Sequence, residues 1–248
     1  MLAYAAARRD FFPGEALTFD RAYRLAHLPL VAPDHPDVIE SEEGKDYFSG
    51  RYAATRYSLT LPIDAGELGR SGEFQAFEQE LRRLSFSAKI NWEIGRERAE
   101  KLHATVIGGL SEADIEPCAR AAAAALAPFG ALSIRLGGPF LGTMNTGRIY
   151  LPVYPECHEG KDILGLVQAA CGTRQSRFYG VGYYHFSAPL TVAETEELAG
   201  LIERWRESTL ATLAIGSLAI QATNDDLALS GRIVTSIPVG GGPEARPA

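Results

Sequence analysis

Lys101-Leu102-His103-Ala104-Thr105-Val106-Ile107-Gly108-Gly109 is an apolar, strand-like run carrying one imidazole with a hydroxyl two places further on. A second run of the same kind is Tyr183-Tyr184-His185-Phe186-Ser187-Ala188-Pro189-Leu190. Both read His-x-(Thr/Ser). In a strand, residues i and i+2 stand on one face. His103 and Thr105 are therefore expected side by side, with Lys101 on the same face and Leu102 and Ala104 on the other. By the same rule Tyr183, His185 and Ser187 share a face. In-line cleavage of a phosphodiester needs a base on one side and an acid on the other. Imidazole, with an ordinary pKa of about 6.5, serves in either role near neutral pH.

Working outward, the elements around the two runs come in a similar order twice. Arg56 to Pro62 alternates as a strand ended by Pro and the Asp64-Ala65-Gly66 turn. Phe74 to Leu84 places Phe74, Phe77, Leu81 and Leu84 on one helical face, with acidic residues early and arginines late. Ile90 to Ile94 reads as a strand before the first histidine run. Ser111 and Asp114 have the spacing of a helix cap, and the Ala-rich run to Ala127 continues that helix until Pro128 and Gly130. Strands are then expected over 131–136 and 147–154, a helix over 161–170, the second histidine strand, and a long helix over 193–213. Strands over 218–222 and 233–237 flank the Asn224-Asp225-Asp226 turn signal. The pattern predicts an α+β fold, duplicated and two-lobed. Two antiparallel sheets would face a central cleft with the helices outside, and each lobe would send one histidine strand into the cleft.

Composition bounds the function. The 248 residues are 46% hydrophobic and 22% charged, as in an ordinary globular protein. A net charge of -7 disfavours a protein that grips long duplex nucleic acid electrostatically, but leaves room for a small nucleotide or an RNA end in a local basic pocket. Three cysteines without C-x-x-C spacing suit a reducing compartment and suggest no disulfide framework. Cys157, His158 and Cys171 do not have the spacing of a zinc site, so no metal is expected. With no apolar run of membrane-spanning length and no leader-like start, the expectation is a cytoplasmic protein without a membrane partner.

Residues 1–50 are rich in proline and acidic residues and read as an extension, partly irregular, with one short helix over Phe19, Tyr23, Leu25 and Leu28. Its histidines, His27 and His35, read as surface or loop residues. Residues 51–237 form the two-lobed domain, and the Gly/Pro-rich stretch 238–248 is expected to be disordered.

At this point the chain resembles the two-histidine (2H) phosphoesterase superfamily, which includes RNA 2′,3′-cyclic phosphodiesterases of the bacterial "RNA ligase" type. The resemblance is carried by Leu102 to Gly108 and Tyr184 to Ser187, with the Leu136-Gly137-Gly138-Pro139-Phe140 turn and the Gly147 to Leu151 strand between them. It covers about residues 55–240. Ser187 stands where many members have Thr and keeps the hydroxyl. The acidic N-terminal extension lies outside the resemblance. The resemblance implies a phosphoric diester hydrolase without cofactor. His103 and His185 would divide the base and acid roles, and Thr105 and Ser187 would donate to the non-bridging phosphate oxygens. The expected substrate is a 2′,3′-cyclic phosphate, on a small nucleotide or at an RNA 3′ end. Tyr183 is a candidate for stacking on a base, with a packed core aromatic as the competing reading. Lys101 is a candidate phosphate partner, against a solvated strand end; Arg148 and Arg177 are candidates for the cleft, against surface charges. The alternatives are a nucleotide-binding module with little turnover, and RNA-end processing including 2′–5′ ligation.

Overall fold

Three short helices open the chain: α1 (Tyr4–Ala7), α2 (Arg21–Ala26) and α3 (Leu28–Val31). The structure is a computed structural model that describes residues 3–240. After α3 come the long strand β1 (Arg51–Pro62), then α4 (Ala65–Arg70), α5 (Gly72–Arg83) and α6 (Trp92–Glu97). The first histidine run forms β2 (His103–Leu110), and α7 (Ile115–Leu126) follows it. The middle of the chain supplies β3 (Leu132–Gly137), β4 (Phe140–Leu141), β5 (Arg148–Pro155), the small hairpin β6 (Cys157–His158) and β7 (Lys161–Asp162), and α8 (Ile163–Ala170). The second histidine run begins in β8 (Gly180–His185); α9 (Val192–Trp205), β9 (Thr209–Ile215), β10 (Ser217–Asp225) and β11 (Arg232–Pro238) complete the described elements.

The fold is α+β. One antiparallel sheet has the order β11-β10-β1-β2; the other has the order β4-β5-β3-β9, with β8 also paired to β5. In the first, His103 lies opposite Pro62 and Thr105 opposite Thr60. In the second, His185 lies opposite Arg148. β2 lies against β8, so the sheets meet along the two histidine-bearing strands. Helices α7 and α8 pack on each other and back the first sheet, while α4 and α5 pack on β9 of the second.

The single short helix expected over Phe19 to Leu28 is two, α2 and α3, with Phe19 before them, and two further expected elements take a different form. Ile90 to Ile94 is not a strand. Asn91 accepts a hydrogen bond from the Ile94 N–H and so starts α6, with Glu93 in its first turn and Arg96 in its last, matching the helix dipole. Its apolar alternation was too short to separate a strand from the edge of a helix. The helix expected to reach Leu213 ends at Trp205, and Thr209–Ile215 is β9 instead. Its burial alternates over much of its length, as a sheet strand requires, and it pairs with β3 from Leu132↔Ile215 to Gly137↔Thr209. The capping box at Ser111 and Asp114 is present.

Residues 3–50 do not stand apart. Leu17, Phe19, Tyr23 and Leu28 belong to the same hydrophobic core as Leu59, Ala104, Ile149 and Val181. At the other end, Pro238 closes β11 and the Val239 N–H donates to the Gly216 carbonyl. The rest of the tail expected to be disordered, from residue 241, lies outside the described residues.

Candidate functional site

His103 begins β2. Its Nδ1 lies 2.7 Å from the Lys101 carbonyl oxygen, which can only accept, so Nδ1 carries the proton and Nε2 keeps its lone pair. The residue is partly exposed and Thr105, two places on, is exposed. Enclosure by the surrounding chain lowers the His103 pKa to about 4; the Lys101 carbonyl opposes this, and the charges of Arg98 and Arg148 add to it.

His185 ends β8 and is 1% exposed, with neither ring nitrogen hydrogen-bonded among the described residues. Burial, then Arg98, Arg148 and His27, push its pKa well below the ordinary value. The chain covers it with a stack of its own rings. The His27 ring lies 6.0 Å from that of His185 at 21°, and Tyr23 lies 5.4 Å from His27 at 4°. The Tyr23 hydroxyl donates to the Phe186 carbonyl at 2.7 Å. This approach depends on Gly147, where a Cβ would sit 2.3 Å from the Tyr23 ring.

His27 is thus no surface histidine. It is 1% exposed, and Arg148 Nη1 donates to its Nε2 at 2.7 Å. That bond places the His27 proton on Nδ1, where it has no partner. Arg148 passes over Gly182, whose missing side chain gives it room: a Cβ there would be 1.8 Å from Arg148 Nε. This Nε is also buried and unpaired among the described residues. Arg98, in the turn after α6, is 2% exposed; it donates Nε to the Leu227 carbonyl at 2.7 Å and Nη1 to the Gly182 carbonyl at 2.8 Å. Burial and Arg148 lower its pKa to about 9, which leaves it a cation at neutral pH. Among the described residues neither arginine has an ion pair with a carboxylate. Asp225 opposes the fall in the Arg98 pKa, but its oxygens accept from the Leu229 and Ser230 N–H groups and the Ser230 hydroxyl.

The other expected site residues go elsewhere. Ser187 has left the strand, and its hydroxyl donates to the Lys89 carbonyl at 3.0 Å. Tyr183 is the extra residue of a β-bulge: Tyr184 pairs with Ile149 and Gly182 with Tyr150. The bulge turns both tyrosines toward α5. Tyr183 packs edge-on to Phe74 at 5.4 Å, Tyr184 edge-on to Phe77 at 6.1 Å, and the face-sharing with His185 expected from alternation is lost. Burial pushes the Tyr183 hydroxyl up to about 12. Lys101 is not in the strand but ends the turn Ala99–Lys101, and its Nζ donates to the Leu229 carbonyl. Arg148 joins the histidine cluster, while Arg177 is exposed. His35 accepts from the Asp37 N–H at 3.1 Å, away from the cluster.

His27 and Arg98 were missed. His27 has a visible signal in hindsight: it follows Tyr23 by four residues and so shares its helical face. Arg98 has none, since both its acceptors are remote in sequence. Among the described residues no three of His, Cys, Asp and Glu are placed to hold a metal ion. Among them, too, no helix is long and apolar enough to cross a membrane. No family model and no curated protein matches the chain.

Proposed function

We propose that the chain is a phosphodiesterase that opens a 2′,3′-cyclic phosphate or a related small phosphodiester by two-histidine acid–base chemistry. One observation carries this reading: a surplus of buried donors without acceptors. Among the described residues His27 Nδ1–H, Arg148 Nε–H and the N–H of His185 are unpaired, and neither Arg148 nor the nearby Arg98 has an ion pair with a carboxylate. Buried donors of this kind, and a buried cation such as Arg98, cost free energy until an acceptor arrives. A phosphate group supplies several acceptor oxygens and negative charge. Substrate would approach from the side of His103 and Thr105, which keep some exposure and where the charges of Arg98 and Arg148 are felt. His103 Nε2 takes the proton of the attacking water. His185 gives a proton to the leaving ribose oxygen, once the bound anion has raised its pKa, and Thr105 donates to a non-bridging oxygen.

A second reading, a nucleotide-binding module with little turnover, draws support from the covered ring of His185 and from the Ser187 hydroxyl turned to Lys89. Hydrolysis of 2′,3′-cyclic mononucleotides in EDTA by wild type, His103→Ala and His185→Ala separates the two. The first reading expects wild-type turnover and a loss of about 10²–10⁴-fold in each variant. Mononucleotide binding that is weakened in both variants, without turnover in wild type, favours the module. Turnover indifferent to both substitutions removes these histidines from the site.

A further inference from the structure

Two of the three cysteines, distant in sequence, meet in the fold. Cys118 lies in the first turn of α7 and Cys171 caps the C-terminus of α8; their sulfurs are 3.3 Å apart. The Cys171 thiol also reaches the Cys118 carbonyl at 3.5 Å. The sulfurs need to approach by only roughly 1.2 Å to reach the disulfide length of about 2.05 Å. Cys118 is buried, whereas Cys171 is partly exposed, which gives a reagent one point of entry. The third, Cys157, is exposed on the β6–β7 hairpin, and no contact between it and the pair is seen among the described residues.

We propose that Cys118 and Cys171 form a reversible redox pair that closes into an intramolecular disulfide on exposure to a low-molecular-weight disulfide such as oxidised glutathione. The Cys171 thiolate attacks one sulfur of the reagent, forming a mixed disulfide and releasing the first glutathione thiolate. The Cys118 thiolate then attacks the Cys171 sulfur and expels the second. The chain loses two protons and two electrons, and one glutathione disulfide becomes two thiols. In the reduced chain burial, and then the hydrogen bond and charge of Cys171, push the Cys118 thiol up to about 12. Capping Cys171 removes the latter two causes just before Cys118 must react.

The position of the pair gives the bond a consequence. α7 follows the strand that begins with His103, and α8 precedes the strand that ends with His185. Between them Gln168 of α8 donates to the Val106 carbonyl of β2 at 2.6 Å. A disulfide here ties the two histidine-bearing halves together from behind, and does so whatever the substrate of the cleft.

The test is incubation of the reduced full-length protein with oxidised glutathione, followed by thiol titration in denaturant and peptide mapping without reductant. The expected result is a peptide linking Cys118 to Cys171 and a Tm raised by several degrees, reversed by dithiothreitol. The link should persist in Cys157→Ser and vanish in Cys171→Ser. Recovery of Cys118 and Cys171 as free thiols, or of Cys171 only as a glutathione adduct, overturns the proposal.

Discussion

Arg98 is buried and Arg148 is partly buried with its Nε fully enclosed. Among the described residues neither has an ion pair with a carboxylate, so desolvation of their charge is compensated chiefly by hydrogen bonds and, for Arg98, by the charge of Asp225. Arg98 has two such bonds. Arg148 has an imidazole and the face of Tyr150, 4.9 Å from its guanidinium carbon. A bound oxyanion therefore relieves both, and binding to the folded state alone raises stability. Phosphate at 100 times its Kd contributes about 2.7 kcal/mol, a Tm rise of roughly 5–10 °C for a chain of this size. Arg148→Met should abolish this rise, while Arg120→Met, on the surface of α7, should keep it. An equal phosphate response in wild type and Arg148→Met would show that the anion goes elsewhere. At this scale the sequence points to His103 and His185 as candidates, because each sits in an apolar run with a hydroxyl two residues on. It did not disclose their neighbours. His27 and Arg148 are 121 residues apart and Arg98 and Gly182 are 84 apart, so only the fold brings them together. Alternation also failed at Tyr183, where one inserted residue turns a side chain to the opposite face.

Among the elements, the segment α2–α3 is held by the core packing of Tyr23 and Leu28 and by a few hydrogen bonds, rather than by sheet pairing. Asp20 caps α2 and also accepts from the Asn145 N–H at 2.8 Å; the Val31 carbonyl accepts from Asn91 Nδ2 at 2.7 Å. Gly147 is the narrowest of these contacts. Gly147→Ala should push Tyr23 off its seat, at an overpacking cost of about 1–3 kcal/mol. Tryptic cleavage at Arg21 and Arg24 should then accelerate, with a smaller acceleration in Tyr23→Phe, which loses only the bond to Phe186. Cleavage at the wild-type rate in Gly147→Ala would contradict the seating described for Tyr23. Elements with a long apolar face, α5, α7 and the first turns of α9, were legible in the sequence. α6 and β9 were not: six or seven residues give too few turns of either period to decide, and pairing with β3 overrode the helical pattern that seemed to run on from α9.

For the whole molecule the three depressed histidines set the response to acid. His27, His103 and His185 all have folded pKa values below the ordinary 6.5 or so expected in the unfolded chain, with His103 at about 4. Below pH 6.5 the unfolded state takes up protons that the folded state refuses. Stability is therefore fully present above about pH 6.5 and falls as pH drops toward the folded values. Three such groups reach a slope of about 4 kcal/mol per pH unit. Urea midpoints at pH 7.5, 6.5 and 5.5 should fall slightly across the first interval and steeply across the second, less steeply in His27→Asn. A midpoint that holds to pH 5.5 would mean that these rings accept protons without penalty.

The ring stack over His185 also has a consequence in time. Ribosomes deliver a chain from its N-terminus, yet Tyr23 docks on the carbonyl of a residue 163 positions later. At about 5–20 residues per second the two are made roughly 10–30 s apart. For that interval Tyr23 of α2 and the His27 ring stacked on it lack their native seat, so this earlier-made segment is among the last to settle. The ring of His185 is covered only after both histidine strands exist.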